Sequence, residues 1–153
     1  MEIKKIVYAT DFSEGSAVAL PYAVDLAKHY GAKLYLVHVI YDFANTTGWY
    51  VPHISLDSIY KDMEVAAREQ LEKCYIEEMK GVKEIEHVVL TGVPYKEITG
   101  FVKDQHIDLI VLGTHGRKGI DRVVFGSTVE QISRNVPCPV FTVRIPEHQQ
   151  LGG

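Results

Sequence analysis

The sequence predicts an α/β fold: one doubly wound, five-stranded parallel sheet in the order 3-2-1-4-5, with helices on both faces. Three observations carry that prediction. Apolar runs at 3–9, 34–40, 84–91, 107–112 and 140–143 alternate with segments of helical apolar spacing. The first, second and fourth runs are apolar on both faces, as strands covered by helices on two sides must be. The other two carry edge marks: Glu84-Ile85-Glu86-His87 alternates, and Pro137 and Pro139 stand just before Val140.

Taken in order, Ile6-Val7-Tyr8-Ala9 is the heart of the first strand, which ends at Thr10-Asp11. A helix is expected over 13–30, with Ser13 as N-cap and Asp11 and Glu14 near its positive end. Ala17, Leu20, Val24 and Ala27 form its apolar face. Pro21 should kink this helix or loosen its first turns, and Gly31 should stop it. Leu34 to Ile40 is the second strand. The long connection 41–56 holds Tyr41, Phe43, Trp49, Tyr50 and Pro52. Loops of that length usually bind or cover something, but the favoured reading tucks these aromatics onto their own domain rather than over a ligand.

The longest helix is expected from Asp57 to Lys80. Ile59, Met63, Ala66, Ala67, Leu71, Cys74, Tyr75 and Met79 share one stripe at core spacing. Pro94 suits the first turn of the next helix, whose buried side is Ile98, Phe101 and Val102. A last helix is expected over about 128–136, before Val140-Phe141-Thr142-Val143. Residues 1–145 read as one domain and 146–153 as a flexible tail.

Composition narrows the function. Apolar content of 46% and charged content of 24% are ordinary for a globular chain. No apolar run approaches the roughly 20 residues that span a bilayer, and Met1-Glu2-Ile3-Lys4-Lys5 does not open a signal peptide. The expected address is therefore cytoplasmic, with no membrane partner. A net charge of −4 without a basic cluster argues against a nucleic-acid surface. Cys74 and Cys138 show no C-x-x-C spacing and are expected to pack as small apolar residues. The histidines are scattered, with no H-x3-H or Cys/His ligand set, so no structural metal is expected.

The chemistry gathers between the fourth strand and the last helix, in Gly113-Thr114-His115-Gly116-Arg117-Lys118-Gly119-Ile120-Asp121-Arg122-Val123-Val124-Phe125-Gly126-Ser127-Thr128. Strand, glycine loop and helix start together form an anion-binding arrangement, because free N–H groups converge there. Neither G-x-x-x-x-G-K-S/T nor G-x-G-x-x-G is present, so the usual P-loop and dinucleotide fingerprints are absent. Topology points to the same place: ligands of open α/β sheets lie beyond the carboxyl ends of the strands where the order reverses. Here that is between strands 1 and 4, at Asp11 and Gly113.

Gly113 and Gly116, nine residues, then Gly126-Ser127 match G-x-x-G-x9-G-S/T, which resembles the nucleotide-binding signature of the universal stress protein family. Ala9-Thr10-Asp11-Phe12-Ser13, Val37-His38-Val39-Ile40 and Val136-Pro137-Cys138-Pro139-Val140 are similar to that family too, and the resemblance runs from Ile3 to about Arg144. It implies the adenine nucleotide alpha hydrolase-like variant of the fold. It also implies ATP as ligand, with AMP and ADP as alternatives and Mg2+ carried on the phosphates. Ala9, Thr10 and Asp11 would line the adenine and ribose end, and Val39 would meet the base through its backbone. Gly113 and Gly116 would pass close to ribose and phosphates, with His115 between them acting through its main chain. Gly126, Ser127 and Thr128 would hold the phosphate tail with N–H groups and hydroxyls.

Structural alternatives stand beside these assignments. Asp11 could serve only as a helix-start acid. Ser127-Thr128-Val129-Glu130 also reads as a capping box, S-x-x-E. Arg117, Lys118 and Arg122 bias the loop positively without requiring phosphate contact. The resemblance implies a nucleotide-dependent stress-response or signalling module with at most slow ATP hydrolysis. A slow ATPase or phosphotransferase is one rival, and a nucleotide-independent dimeric scaffold another. Hydrolysis needs a group to orient water, and His115, Asp121 and Glu130 lack distinctive partners, so no catalytic residue is assigned. The apolar edge strand Val140–Val143 should pair with a second copy, giving a homodimer.

Overall fold

Main-chain pairing sets the architecture before any side chain is considered. The structure, a computed structural model, describes residues 1–42, 56–114 and 122–145, and of 122–127 the backbone alone. The elements run β1 (Lys5–Ala9), α1 (Glu14–Ala17), α2 (Leu20–Tyr30), β2 (Lys33–Tyr41), α3 (Leu56–Cys74), β3 (Glu84–Gly92), α4 (Pro94–Asp104), β4 (Leu109–Gly113), α5 (Arg122–Asn135) and β5 (Val140–Val143). All pairings are parallel and the strand order is 3-2-1-4-5, as predicted. The tail from 146 lies outside the described residues, as does the aromatic connection apart from Tyr41, Asp42 and Leu56.

Alternation along the strands sorts the core into two layers. Ile6, Tyr8, Leu34, Leu36, Leu109 and Val111 face α2 and α3, where they meet Ala23, Val24, Ala27 and Leu71. Val7, Tyr35, Val37, Ile110 and Leu112 face α4 and α5, where they meet Ile98, Val102 and Ile132. The central strands are therefore apolar on both sides because helices cover both. β3 lies at one edge with no fully buried residue. Lys33 joins it to β2 through Glu84 and Glu86, and hydrogen bonds to Glu86 and then Glu84 push the Lys33 ammonium above its usual range. β5 lies at the other edge.

Three helix boundaries depart from the sequence reading. The expected helix over 13–30 is two helices, broken at Val18-Ala19, with Pro21 in the first turn of α2. Proline is tolerated there because first-turn N–H groups have no partner within the helix. Ser13 does cap α1, accepting from the Ser16 N–H, and Gly31 ends α2 at φ 61°.

The long helix stops at Cys74, and residues 75–80 continue as turns. Glu77 and Glu78 oppose the negative end of a helix, while Tyr75 and Met79 turn inward to the core. Of the expected stripe only Ala67 and Leu71 within α3 are buried; Ile59, Met63, Ala66 and Cys74 are exposed.

The last helix begins at Arg122 rather than near 128. The spacing of Val129, Ile132 and Val136 extends back to Phe125, and no Gly or Pro interrupts 122–125. Ser127 is therefore interior to α5. Ser127 thus stands away from the N-cap position that an S-x-x-E box needs, and Glu130 pairs with Arg134 at 2.5 Å.

The cysteines differ from each other. Cys138 packs against the layer under α4 and α5, whereas Cys74 is exposed, contrary to the expectation that both pack. Burial pushes the Cys138 thiol up. Titration of the folded protein with a disulfide reagent at about pH 8, below or near the usual thiol range, should modify Cys74 in the fast phase and Cys138 later. Equal rates in the native state, or a fast Cys138, would contradict this packing.

Candidate functional site

A crevice opens where β1 stops short of its neighbours. β1 pairs with β2 only as far as Ala9 with Val37, while β2 continues along β3 to Tyr41. The Thr10 N–H donates to the Val37 carbonyl at 2.9 Å, so Val37 turns its main-chain groups toward β1. Main-chain groups change side at each residue of a strand. Val39 therefore directs its N–H and C=O the same way, past the end of β1.

The same alternation of main-chain groups applies across the gap. The N–H groups of Ile110 and Thr114 point to β5, donating to Pro139 and Val143 at 3.1 and 2.9 Å. Gly113, opposite to them in phase, faces the β1 side beyond the last rung, Tyr8 with Val111. Two strands thus offer main-chain donors and acceptors over the end of a third.

The floor is the turn from β1 into α1. The Phe12 N–H donates to Thr10 Oγ1 at 3.0 Å, and the Ser13 N–H donates to Asp11 Oδ1 at 2.9 Å. The Ser13 hydroxyl donates to the same carboxylate oxygen. These side chains replace the ladder partners that the main chain loses on leaving the sheet. Phe12 adopts φ 65°, uncommon for a bulky residue.

Below lies a buried hydroxyl cluster. Thr10 Oγ1 is 3.0 Å from Ser16 Oγ and 3.4 Å from the Tyr75 hydroxyl. The Tyr8 hydroxyl donates to the Ser16 carbonyl at 2.9 Å. Burial, and next the neighbouring Tyr75, raise the Tyr8 phenol well above its usual range, so it stays a neutral donor.

Gly113 has a second role that sequence reasoning missed. A Cβ placed there would stand 2.0 Å from the Gly15 carbonyl oxygen and 2.9 Å from the Ser16 Cα. No real Cβ approaches backbone so closely, so α1 can cross β4 only over a glycine. Glycines at 15 and 113 far apart in sequence gave no pairwise signal that could have revealed this.

Of the ten residues singled out in the sequence, Ala9, Thr10, Asp11, Val39 and Gly113 come together around the crevice. Asp11 performs the helix-start role raised for it, its Oδ1 accepting from the Ser13 N–H and hydroxyl. His115 and Gly116 lie outside the described residues. Gly126, Ser127 and Thr128 lie in α5, Thr128 half-buried. Among the described residues no group of three or more His, Cys, Asp or Glu could hold a metal ion, and no helix is long and apolar enough to cross a membrane.

A doubly wound parallel sheet whose strand order reverses between β1 and β4 defines an open α/β domain. The sequence profile of the universal stress protein family matches residues 2–144, and this chain belongs to that family. Universal stress protein MJ0531 of Methanocaldococcus jannaschii is 35% identical over 147 residues, covering 95% of this chain and 85% of its own. Universal stress protein UspA from Lactobacillus plantarum superposes with a TM-score of 0.80 at 26% identity, over 94% of this chain and 99% of its own. Two more distant structures share the fold and carry adenine nucleotides. One is a universal stress protein in complex with cAMP (TM-score 0.64, 20% identity, 95% of this chain and 100% of that one). The other is an Arabidopsis thaliana family protein with AMP bound (TM-score 0.62, 20% identity, 95% and 94%).

Replacing Gly113 with Ala should lower unfolding free energy by about 1–3 kcal/mol, the usual cost of overpacking. Gly100, inside α4 with nothing within 4 Å of an added Cβ, is the control: Gly100→Ala should raise stability by about 0.5–1 kcal/mol. Urea denaturation of both variants reads the difference, and a neutral Gly113→Ala would refute the close approach.

Proposed function

We propose that this universal stress protein binds an adenine nucleotide in the crevice above the end of β1 and responds to it as a signalling module. The observation that carries the reading is the pair of main-chain edges, at Val39 and Gly113, facing each other across the turn that holds Asp11. Val39 offers one donor and one acceptor, the complement of the adenine edge, whose N1 accepts and whose N6 amino group donates. Asp11 suits ribose hydroxyls, which donate to a carboxylate, and would repel phosphate. The nucleoside therefore lies toward β1 and β2, and the phosphates lie toward the segment that follows β4.

At that other end, His115 and Gly116 supply main chain and Ser127 and Thr128 supply hydroxyls, with Gly126 leaving room for close approach. Ala9 and Thr10 close the inner wall. ATP is the favoured ligand, with AMP and ADP as alternatives; Mg2+ would arrive on the phosphates and neutralise part of their charge. The cAMP and AMP complexes of the family relatives support an adenine ligand. Turnover is slow at most on this reading, since His115, Asp121 and Glu130 have no distinctive partner in the sequence to orient water at a phosphate. The protein acts in the cytoplasm, and residues 1–145 form the working domain.

The dimer is part of the same proposal. β5 pairs on one side only, and its Phe141 stays exposed against the exposed Tyr22, ring centroids 5.7 Å apart. An apolar edge with unpaired backbone groups recruits an identical edge about a two-fold axis.

Calorimetric titration with ATP, ADP, AMP and GTP should show adenine nucleotides binding and GTP failing. Asp11→Asn keeps the oxygen that caps Ser13 but loses the charge, so affinity should fall about tenfold with little change in stability. Ser127→Ala should cost about 1–2 kcal/mol, up to roughly thirtyfold. Heat-free titrations with every adenine nucleotide would sink the reading. Sedimentation at micromolar concentration should give a dimer, and Phe141→Lys should yield monomers; a monomeric parent protein would reject the edge pairing.

A further inference from the structure

One side chain at the crevice belongs neither to the ligand-facing set nor to the core. His38 sits on β2 one residue past the last rung shared with β1 and one residue before Val39. Its Nδ1 lies 2.8 Å from the Thr10 carbonyl oxygen. A carbonyl can only accept, so Nδ1 carries the proton, which makes Nε2 the acceptor of the neutral ring. The imidazole also lies against the Phe12 ring, with centroids 4.5 Å apart and planes tilted by 37°.

Phe12 is the strained residue of the turn. Its φ of 65° places a bulky L-residue in the unfavourable left-handed region. Such conformations persist only where the surroundings over-determine them. The bonds from Phe12 to Thr10 and from Ser13 to Asp11 close inside the turn itself. They shape it but do not fix where it sits relative to β2. The Thr10 N–H bond to the Val37 carbonyl ties the start of the turn to β2, and His38 adds a hold on the Thr10 carbonyl before Asp11 and on the Phe12 ring after it.

We infer that His38 is a positioning residue that locks the Asp11 carboxylate and the Val39 main chain at a fixed separation. A nucleoside needs both at once, base on Val39 and ribose on Asp11, so the imidazole pre-sets the distance between two recognition elements that different strands carry. Pre-organisation of this kind raises affinity by removing the ordering cost from the binding step. The inference rests on the nucleotide reading above, and its experiment separates the two.

Two substitutions dissect the two contacts. His38→Asn places an amide N–H where Nδ1 stood and discards the ring; His38→Phe keeps a ring and discards the donor. At about pH 8, above the usual imidazole range, long-range 15N–1H spectra of the free protein should show His38 protonated at Nδ1. Calorimetry with ATP and AMP should show His38→Phe weakened about tenfold or more and His38→Asn within about threefold of the parent, since the lost hydrogen bond is what moves the turn.

An Nε2–H tautomer, or equal affinity in the parent and His38→Phe, overturns the positioning role while leaving nucleotide binding intact. A parent protein that binds no adenine nucleotide overturns the nucleotide reading and this inference with it. Should His38→Phe fail to fold, the tautomer of the parent and the affinity of His38→Asn decide: loss of binding in a folded His38→Asn refutes the donor as the working contact.

Discussion

Everything at the crevice depends on the absence of one methyl group. With no Cβ at Gly113, the Gly15 carbonyl rests almost on the strand, where an added carbon would stand 2.0 Å from it. That approach lets a four-residue helix, Glu14–Ala17, cross the end of β4 directly after β1. The turn carrying Asp11 is thereby pressed between β2 and β4 instead of rising away from the sheet. A tight contact of backbone on backbone is rigid in a way that interdigitating side chains are not, because nothing in it can change rotamer.

Around that contact the chain exchanges one kind of hydrogen bonding for another. β1 ends at Ala9 and its ladder ends with it, yet Thr10, Asp11 and Ser13 satisfy the departing main chain with side-chain oxygens. Buried hydroxyls of Tyr8, Thr10, Ser16 and Tyr75 brace the turn from beneath. The neighbours β2 and β4 keep going, so their inward main-chain groups at Val39 and Gly113 have no strand left to pair with. A ligand that brings its own donors and acceptors fits such an edge.

Helix boundaries show where local pattern loses to tertiary contact. The three- and four-residue spacing of Ala17, Leu20, Val24 and Ala27 runs without a gap, but the chain breaks at Val18-Ala19 because α1 must follow β4 while α2 follows the sheet face. The stripe from Ile59 to Met79 is regular, but only the part lying over the β2–β3 region is covered, so Ala67 and Leu71 are buried and Ile59 and Met63 are not. Ser127 and Glu130 have capping-box spacing, but a helix that starts at Arg122 leaves them no N-terminus to cap.

Strand order, the two edge strands, the α/β class, the Ser13 cap and the Gly31 stop were all legible in the sequence. Each follows from which residues a strand or helix end can tolerate, and that is a property of short stretches of chain. Tertiary structure alone decided the roles of Gly15 against Gly113, of His38 on Thr10 and Phe12, and of Tyr75 beneath Thr10. Those depend on distances between residues dozens of positions apart, and no periodicity or spacing encodes a distance that the folded sheet has yet to create.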